Sequence, residues 1–87
     1  MKFSNLAHSA MKNRRHQQTS NEAVCFHCAN LFRASDVKEY TDSGETALCP
    51  KCGVDAVLFE SSGHPMNLDF AEGAMKYWFG KQPTPRV

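Results

Sequence analysis

Apolar residues recur at helical spacing near both ends of the chain and at strand spacing in its middle. Near the N-terminus the apolar set comprises Phe3, Leu6, Ala7, Ala10 and Met11. These positions share one face of a helix, so the pattern predicts a short amphipathic helix over residues 2–12, capped by Ser4 or Asn5. A helix of this length is marginal alone, so we expect it either to pack on the rest of the chain or to fray. The alternative is a helix that binds a partner or a membrane surface.

The next stretch, residues 12–22, has no apolar period and is predicted to be a linker. Residues 23–62 then show short runs typical of strands. The predicted strand segments are 23–26, 30–33, 46–48 and 54–59. Together they predict a small antiparallel sheet. The candidate core side chains are Phe26, Leu31, Phe32, Tyr40, Leu48, Leu58 and Phe59.

Two local features connect these strands. One helical turn is predicted over residues 34–39, with Ser35 as its cap and Val37 facing the core. Residues 41–44 have the composition of a tight turn.

A second helix is predicted to open at Asn67, and Gly80 is its natural stop. Asp69 and Glu72 have the spacing of a D-x-x-E capping box. One face of this helix carries Ala71, Ala74, Met75 and Trp78, with Phe70 and Tyr77 beside it. The chain therefore divides into a basic N-terminal arm and linker (1–22), a central sheet (23–62), a C-terminal helix (63–80) and a proline-containing tail (81–87).

The most specific chemical feature is a doubled C-x-x-C motif. Cys25 and Cys28 form one pair, Cys49 and Cys52 form the other, and 20 residues separate them. This spacing is typical of a site in which four thiolates hold one zinc ion. Four thiolates leave no position for water, so the zinc is predicted to be structural rather than catalytic.

The residues after each pair suit the tight turns that such a site needs. Gly53 can adopt a positive φ without steric cost. Ala29-Asn30 follows the first pair, where Asn30 is the better candidate for a left-handed conformation. Backbone N–H groups in these turns are expected to point at the sulfur atoms.

Three other interpretations of the cysteine pattern are disulfides, thioredoxin-like redox chemistry and an iron site. Disulfides require an oxidising compartment, and the N-terminus lacks the apolar region and cleavage site of a signal peptide. Thioredoxin-like chemistry requires a βαβ context. Iron suits a tetrahedral site of four sulfurs, and it remains a minor alternative because the first pair lacks a following glycine. His27 could replace one cysteine as a ligand, but an exposed side chain is expected.

Catalysis is not indicated by the sequence. There is no recognisable Ser/His/Asp arrangement, paired carboxylate site or phosphate loop. His64 lies in a predicted loop without a partner carboxylate or nucleophile at a recognisable spacing. The chain is therefore predicted not to be an enzyme and to have no small-molecule substrate.

Several motifs resemble a family of zinc-ribbon proteins found as short stand-alone cytoplasmic proteins in bacteria and their phages. The motifs are Cys25-x-x-Cys28, Phe32 with Ala34-Ser35-Asp36, Thr46 to Gly53, Val54 to Val57, and Tyr77-Trp78-Phe79. They span 55 of the 87 residues, from Cys25 to Phe79. The resemblance implies a zinc ribbon with a following helix, four cysteine ligands and a cytoplasmic location. It implies no activity.

The net charge of +1 conceals an uneven distribution. Residues 1–20 carry +4, residues 21–62 carry −4 and residues 63–87 carry +1. An acidic central module favours a protein partner over nucleic acid, because nucleic-acid binders usually have a basic patch on the folded module. No apolar run approaches the ~20 residues needed to span a bilayer.

The chain is accordingly predicted to be a small metal-stabilised α+β protein, a zinc ribbon that binds another macromolecule. The expected contact residues for a protein partner are Tyr77, Trp78 and Phe79, because aromatic side chains are favoured interface anchors. The alternative is a regulatory nucleic-acid-binding protein that uses Lys12, Arg14 and Arg15 in its basic arm.

Overall fold

The computed structural model describes residues 6–80. Its central feature is a three-stranded antiparallel sheet formed by β1 (Glu22–Cys25), β2 (Asn30–Arg33) and β5 (Val57–Phe59). β1 lies in the middle, with Val24 opposite both Leu31 and Leu58. The predicted antiparallel sheet is confirmed, although the last strand begins at Val57 rather than at residue 54.

A two-stranded hairpin lies beside this sheet. It consists of β3 (Tyr40–Thr41) and β4 (Thr46–Ala47), which pair antiparallel. The turn between them has positive φ at Asp42 (56°), Ser43 (59°) and Gly44 (84°). The predicted turn at residues 41–44 is therefore confirmed, and β4 leads directly toward the second cysteine pair.

The chain enters the hairpin through one 3-10 turn, Ala34–Asp36. Val37 is buried, as predicted, but Ser35 is not the cap. Arg33 occupies that position, and its backbone N–H donates to the Asp36 carboxylate at 3.1 Å. The carboxylate accepts this bond because it lies three residues beyond the start of the turn.

The C-terminal helix, α2 (Leu68–Phe79), is confirmed with a different N-terminal cap. Asn67 is extended, and its side-chain oxygen accepts a hydrogen bond from the Phe70 N–H at 2.8 Å. The predicted capping box fails because Asp69 already lies inside the first turn. A carboxylate there can still interact favourably with the helix dipole. Gly80 ends the helix with a φ of 63°.

The face of α2 that meets the sheet is apolar. Phe70, Ala71, Ala74 and Met75 are buried, while Trp78 is 36% exposed. The predicted stripe is therefore confirmed over its first two turns and opens to solvent at its C-terminal end.

The N-terminal helix packs on the sheet, which is one of the two outcomes expected from the sequence. In the described range it is α1 (Leu6–Ala10), and it contacts β5. Leu6 and Ala10 are buried, but Met11 is 58% exposed. The predicted stripe fails at Met11 because the helix ends at Ala10 and Lys12 then adopts a φ of 50°. Phe3, Ser4 and Asn5 lie outside the described residues.

The predicted linker packs against the fold. Asn13 is 1% exposed, although it lies in a polar run. Its side-chain amide donates to the Val57 carbonyl at 2.7 Å, and its oxygen accepts from the Ala47 N–H at 3.0 Å. A 3-10 turn, Arg14–His16, follows. Residue 13 is buried because it satisfies backbone groups on both the sheet and the hairpin.

Burial of the predicted core side chains is uneven. Phe26, Leu58 and Phe59 are buried, while Phe32, Tyr40 and Leu48 are partly buried. Leu31 is 36% exposed, so its assignment to the core was wrong. It projects from an edge strand whose alternate side chains face solvent. All three residues of β5 are buried instead, because α1 packs on this strand.

Within residues 6–80, no helix combines the length and apolar character needed to cross a membrane.

Candidate metal centre

Both C-x-x-C pairs lie in tight turns that bring their sulfur atoms to one place. Cys25 ends β1, and Cys49 follows β4 closely. In the second turn, the Gly53 N–H donates to the Cys49 carbonyl at 2.9 Å. Gly53 has a φ of 79°, as the sequence predicts.

The first turn uses a different residue from the one predicted. Ala29, rather than Asn30, has the positive φ, at 55°. Asn30 is already in β2, where its extended backbone pairs with Cys25. Its side-chain amide turns back and donates to the Cys28 carbonyl and sulfur, at 3.3 and 3.2 Å. Asn30 therefore supports the site through its side chain.

The four sulfur atoms form a closed cluster. All lie within 4.8 Å of one another. Between the two turns, Cys25 Sγ is 3.7 Å from Cys52 Sγ, and Cys28 Sγ is 3.7 Å from Cys49 Sγ. A tetrahedron with metal–sulfur distances of about 2.3 Å has edges of about 3.8 Å. The cluster thus has the dimensions of a four-thiolate metal site.

Within the described residues the four sulfurs are not paired as disulfides. A disulfide would bring two sulfurs to about 2.05 Å, and all four cysteines are free thiols. The strand pairs in residues 6–80 are antiparallel, so the βαβ setting of thioredoxin-like chemistry is not present there.

Backbone N–H groups point at the sulfurs, as predicted. His27 N–H donates to Cys25 Sγ at 3.4 Å. Lys51 and Cys52 N–H groups donate to Cys49 Sγ at 3.3 and 3.4 Å. Such bonds disperse negative charge on thiolate ligands and fix their orientation.

The cysteines differ in how readily they ionise. The pKa of Cys49 is lowered to about 4, first because it accepts a hydrogen bond from Cys25. The pKa of Cys25 is raised by that same hydrogen bond and by burial. Burial is also the main cause that raises the pKa of Cys52, to about 11. A bound cation would compensate the negative charge of the thiolates.

Aromatic rings cover the first turn. Phe26 lies 6.4 Å from Trp78 and 6.0 Å from Phe79, measured between ring centroids. His27 meets the Phe79 ring edge-on at 4.8 Å. His27 is half-buried, contrary to the predicted exposed side chain, because the end of α2 packs against it. It does not belong to the cluster of potential ligands.

The three aromatic residues proposed for partner binding sit together at the end of α2. Tyr77 is 57% exposed, Phe79 is 39% exposed and Trp78 is 36% exposed. Three consecutive helical side chains cannot all face one core, and each of these three is at least a third exposed. We call Tyr77, Trp78 and Phe79 the aromatic surface.

The basic residues predicted to contact nucleic acid do not form one patch. Arg14 packs on the Tyr40 ring, at 4.5 Å from its centroid, and donates to the Gly44 carbonyl at 2.9 Å. Lys12 and Arg15 instead border a cleft on the N-terminal side of the fold. Arg14 therefore has a structural contact that the sequence did not indicate.

His64 is held between two elements. Its Nε2 atom is 3.0 Å from Ser9 Oγ in α1, and its ring stacks on Phe70 of α2 at 5.8 Å. Burial lowers its pKa. This agrees with a supporting role for a loop histidine.

Sequence reasoning missed Asn13 and the cleft near Lys12. An asparagine between lysine and arginine gives no periodic sign of burial, and the cleft joins residues more than 40 positions apart.

Comparisons with protein-family models, curated proteins and solved structures gave no match. The chain is thus a small α+β protein with four clustered cysteines typical of a structural metal site, and its resemblance to the zinc-ribbon family stays a prediction.

Proposed function

We propose that this protein is a non-enzymatic zinc ribbon whose metal is structural and whose aromatic surface binds another protein. The four-thiol cluster supports the first part of the proposal. Its donors come from two turns, and each turn is braced by N–H groups. A four-thiolate site has no open position for water or substrate, which favours a structural role over catalysis.

Zinc is proposed on the basis of the motif spacing. The residue that follows each C-x-x-C pair, Ala29 or Gly53, has a positive φ, so the two cysteine turns have the same backbone feature although their residues differ. A tetrahedral site of four sulfurs suits iron as well as zinc. Metal analysis of the purified protein distinguishes the two: one zinc per chain supports the proposal, and one iron with its thiolate absorption contradicts it.

The aromatic surface carries the partner proposal. Exposed tyrosine and tryptophan side chains are favoured anchors at protein interfaces. Here their positions are fixed, because α2 is anchored by its buried face and Trp78 lies near Phe26. A surface of this kind loses little side-chain freedom on binding.

The charge of the chain supports a protein partner. Residues 21–62 carry −4, and four thiolates with one zinc add a formal −2. A negative net charge over these residues disfavours a nucleic-acid partner. The nucleic-acid alternative is weaker because Arg14 is engaged by Tyr40 and Gly44.

The test is capture of partners by the zinc-loaded protein and by a Trp78→Ala variant. We expect one stoichiometric protein to bind the parent chain and to be lost with Trp78→Ala while the zinc content is unchanged. Leu68→Ala is the matched control, because Leu68 lies in the same helix and has the same 36% exposure. Equal capture by both variants would contradict the role of the aromatic surface.

Salt-dependent binding to DNA or RNA that disappears when Lys12, Arg14 and Arg15 are replaced by alanine would instead favour the nucleic-acid alternative.

A further inference from the structure

A second potential site lies in the cleft beside Lys12 and Arg15. The cleft has a volume of about 640 Å³. α1 contributes His8, the turn at Arg14–His16 contributes Arg15, and the turn at Glu60–Ser62 contributes Ser61. Clefts of roughly 300–1,000 Å³ are typical of small-ligand sites.

The chemistry of its lining is cationic and rich in donors. Lys12 and Arg15 provide two positive charges, and His8 and His16 provide imidazole groups. Ser61 and Ser62 also line the cleft, and their hydroxyl groups already donate to the His16 and Phe59 carbonyls, at 3.4 and 2.6 Å. Glu45 is the one acidic residue among the described lining residues. Arginine and lysine side chains beside a cavity are groups that hold phosphate oxygens.

The walls of the cleft are held in place by contacts outside it. Leu6 and Ala10 anchor α1 in the core. Buried Asn13 fixes the start of the adjoining turn, and the Arg14 N–H donates to the Glu45 carbonyl at 3.0 Å. The cleft is therefore formed by anchored segments rather than by one loose arm.

The turn at Glu60–Ser62 is tied to the turn at Arg14–His16. His16 Nδ1 lies 2.9 Å from Ser61 Oγ, and the Thr19 hydroxyl donates to Ser61 Oγ at 2.9 Å. The Ser61 N–H donates to Ser20 Oγ at 2.9 Å. These bonds hold the histidine and serine of the lining in a fixed relation before any ligand arrives, which lowers the cost of ordering them on binding.

One apolar group completes the lining. Met11, which the helical pattern places in the core, is 58% exposed and borders the cleft. Its thioether can contact the organic part of a ligand, since methionine adapts to irregular apolar and aromatic surfaces. The volume also exceeds what a single inorganic phosphate needs.

We propose that this cleft binds a small phosphorylated organic molecule, with Lys12 and Arg15 holding its phosphate and Met11 contacting its organic part. Such binding is independent of the four cysteines and of the aromatic surface. It goes beyond the proposed partner-binding function and involves no chemical change in the ligand.

The test is an NMR titration of the full zinc-loaded chain with adenosine monophosphate, inorganic phosphate and adenosine, at constant ionic strength. We expect saturable shifts of amides in residues 8–16 and 60–62 with both phosphate probes, tighter binding of adenosine monophosphate, and no saturation with adenosine. The double variant Lys12→Gln and Arg15→Gln should weaken adenosine monophosphate binding at least tenfold.

Matched variants keep the result interpretable. Lys38→Gln removes an exposed cation outside the cleft lining, and Trp78→Ala also changes a residue outside that lining. Neither should alter adenosine monophosphate binding. Absence of saturable binding by both phosphate probes, equal binding of adenosine, or unchanged binding in the double variant would overturn the proposal. Binding of a single-stranded oligonucleotide without adenosine monophosphate binding would overturn it in favour of a nucleic-acid surface.

Discussion

Two connections join the three-stranded sheet to the β3–β4 hairpin, and they use opposite kinds of chemistry. In the first connection, the thiols of the turns at the ends of β1 and β4 form a cluster, with two pairs of sulfur atoms 3.7 Å apart. In the other, the neutral amide of Asn13 bonds both Val57 in β5 and Ala47 in β4. The cysteine connection needs a cation to hold ionised sulfurs together, whereas the asparagine connection is complete within the chain.

Because of this difference in chemistry, the two connections are expected to contribute different amounts to the free energy of folding. Metal binding to structural zinc sites contributes about 10–16 kcal/mol in small domains, and that binding energy is folding energy. A buried amide that satisfies two backbone groups contributes about 2–4 kcal/mol, judged by the cost of leaving those groups unpaired. In an 87-residue chain with a modest core, a metal bound by the four cysteines would therefore be the larger of the two contributions.

Breaking the cysteine connection should have the largest effect. Cys49→Ser removes the sulfur that accepts the Lys51 and Cys52 N–H bonds. We expect loss of the metal and of cooperative unfolding, measured by metal analysis and by amide dispersion in NMR spectra. Lys51→Ala is the control, because it leaves the backbone N–H in place. A well-folded Cys49→Ser protein would contradict a structural metal.

Breaking the asparagine connection should be costly without releasing the metal. Asn13→Ala leaves the Val57 carbonyl and the Ala47 N–H without their buried partner. We expect a loss of about 2–4 kcal/mol in the free energy of unfolding, measured in urea on the zinc-loaded protein. Asn21→Ala changes an exposed asparagine and should cost little. Equal losses in the two variants would show that Asn13 does not join the two sheets.

The cysteine connection can also be improved. Ala29 has a φ of 55° and is buried, so its Cβ is strained. Ala29→Gly should relieve this strain and stabilise the zinc-loaded protein by up to about 1 kcal/mol. Ala23→Gly, in the extended backbone of β1, should instead destabilise it by a similar amount. Destabilisation by both changes would argue against a left-handed residue at position 29.

The smallest effect concerns His64, which contacts Ser9 of α1 and Phe70 of α2. Burial lowers its pKa, so the folded state binds fewer protons than the unfolded state near pH 6.5. This contribution to stability is complete above the unfolded pKa and is lost as the pH falls through it toward the lower folded pKa. An NMR titration should place the His64 pKa below that of the same histidine in the urea-unfolded chain. An equal or higher folded value would contradict the burial of its ring against Phe70.

The two connections also differ in how far the sequence predicts them. The spacing of the two C-x-x-C pairs is typical of four-cysteine metal sites, so the clustering of the four sulfurs is predictable from the motif. Gly53 was predicted for the same reason. Ala29 was not, because a left-handed alanine is unfavourable in isolation and is imposed by the turn and by the strand that begins at Asn30.

The asparagine connection depends on two tertiary contacts. Asn13 and Ala47 are 34 positions apart in the sequence, and Asn13 and Val57 are 44 positions apart. Nothing in the local sequence distinguishes Asn13 from a solvated residue. The same limit applies to the N-terminal cap of α2, where Asn67 and Asp69 are both good capping residues by type. Only the position of the first helical turn decides between them.

The aromatic surface is less predictable from the sequence than the cysteine cluster and more predictable than the asparagine connection. Three consecutive aromatics on a helix cannot share one buried face, so exposure of at least one was predictable. Which of them contact the first cysteine turn depends on how α2 crosses the sheet.

The central claim is a closed site of four thiolates, and an X-ray absorption spectrum of the zinc-loaded protein tests it most directly. We expect a single shell of four sulfur atoms at about 2.3 Å from the metal. A shell with fewer sulfurs and a nitrogen or oxygen at about 2.0–2.1 Å would contradict it, because His27 or water would then be a ligand and the site would be open.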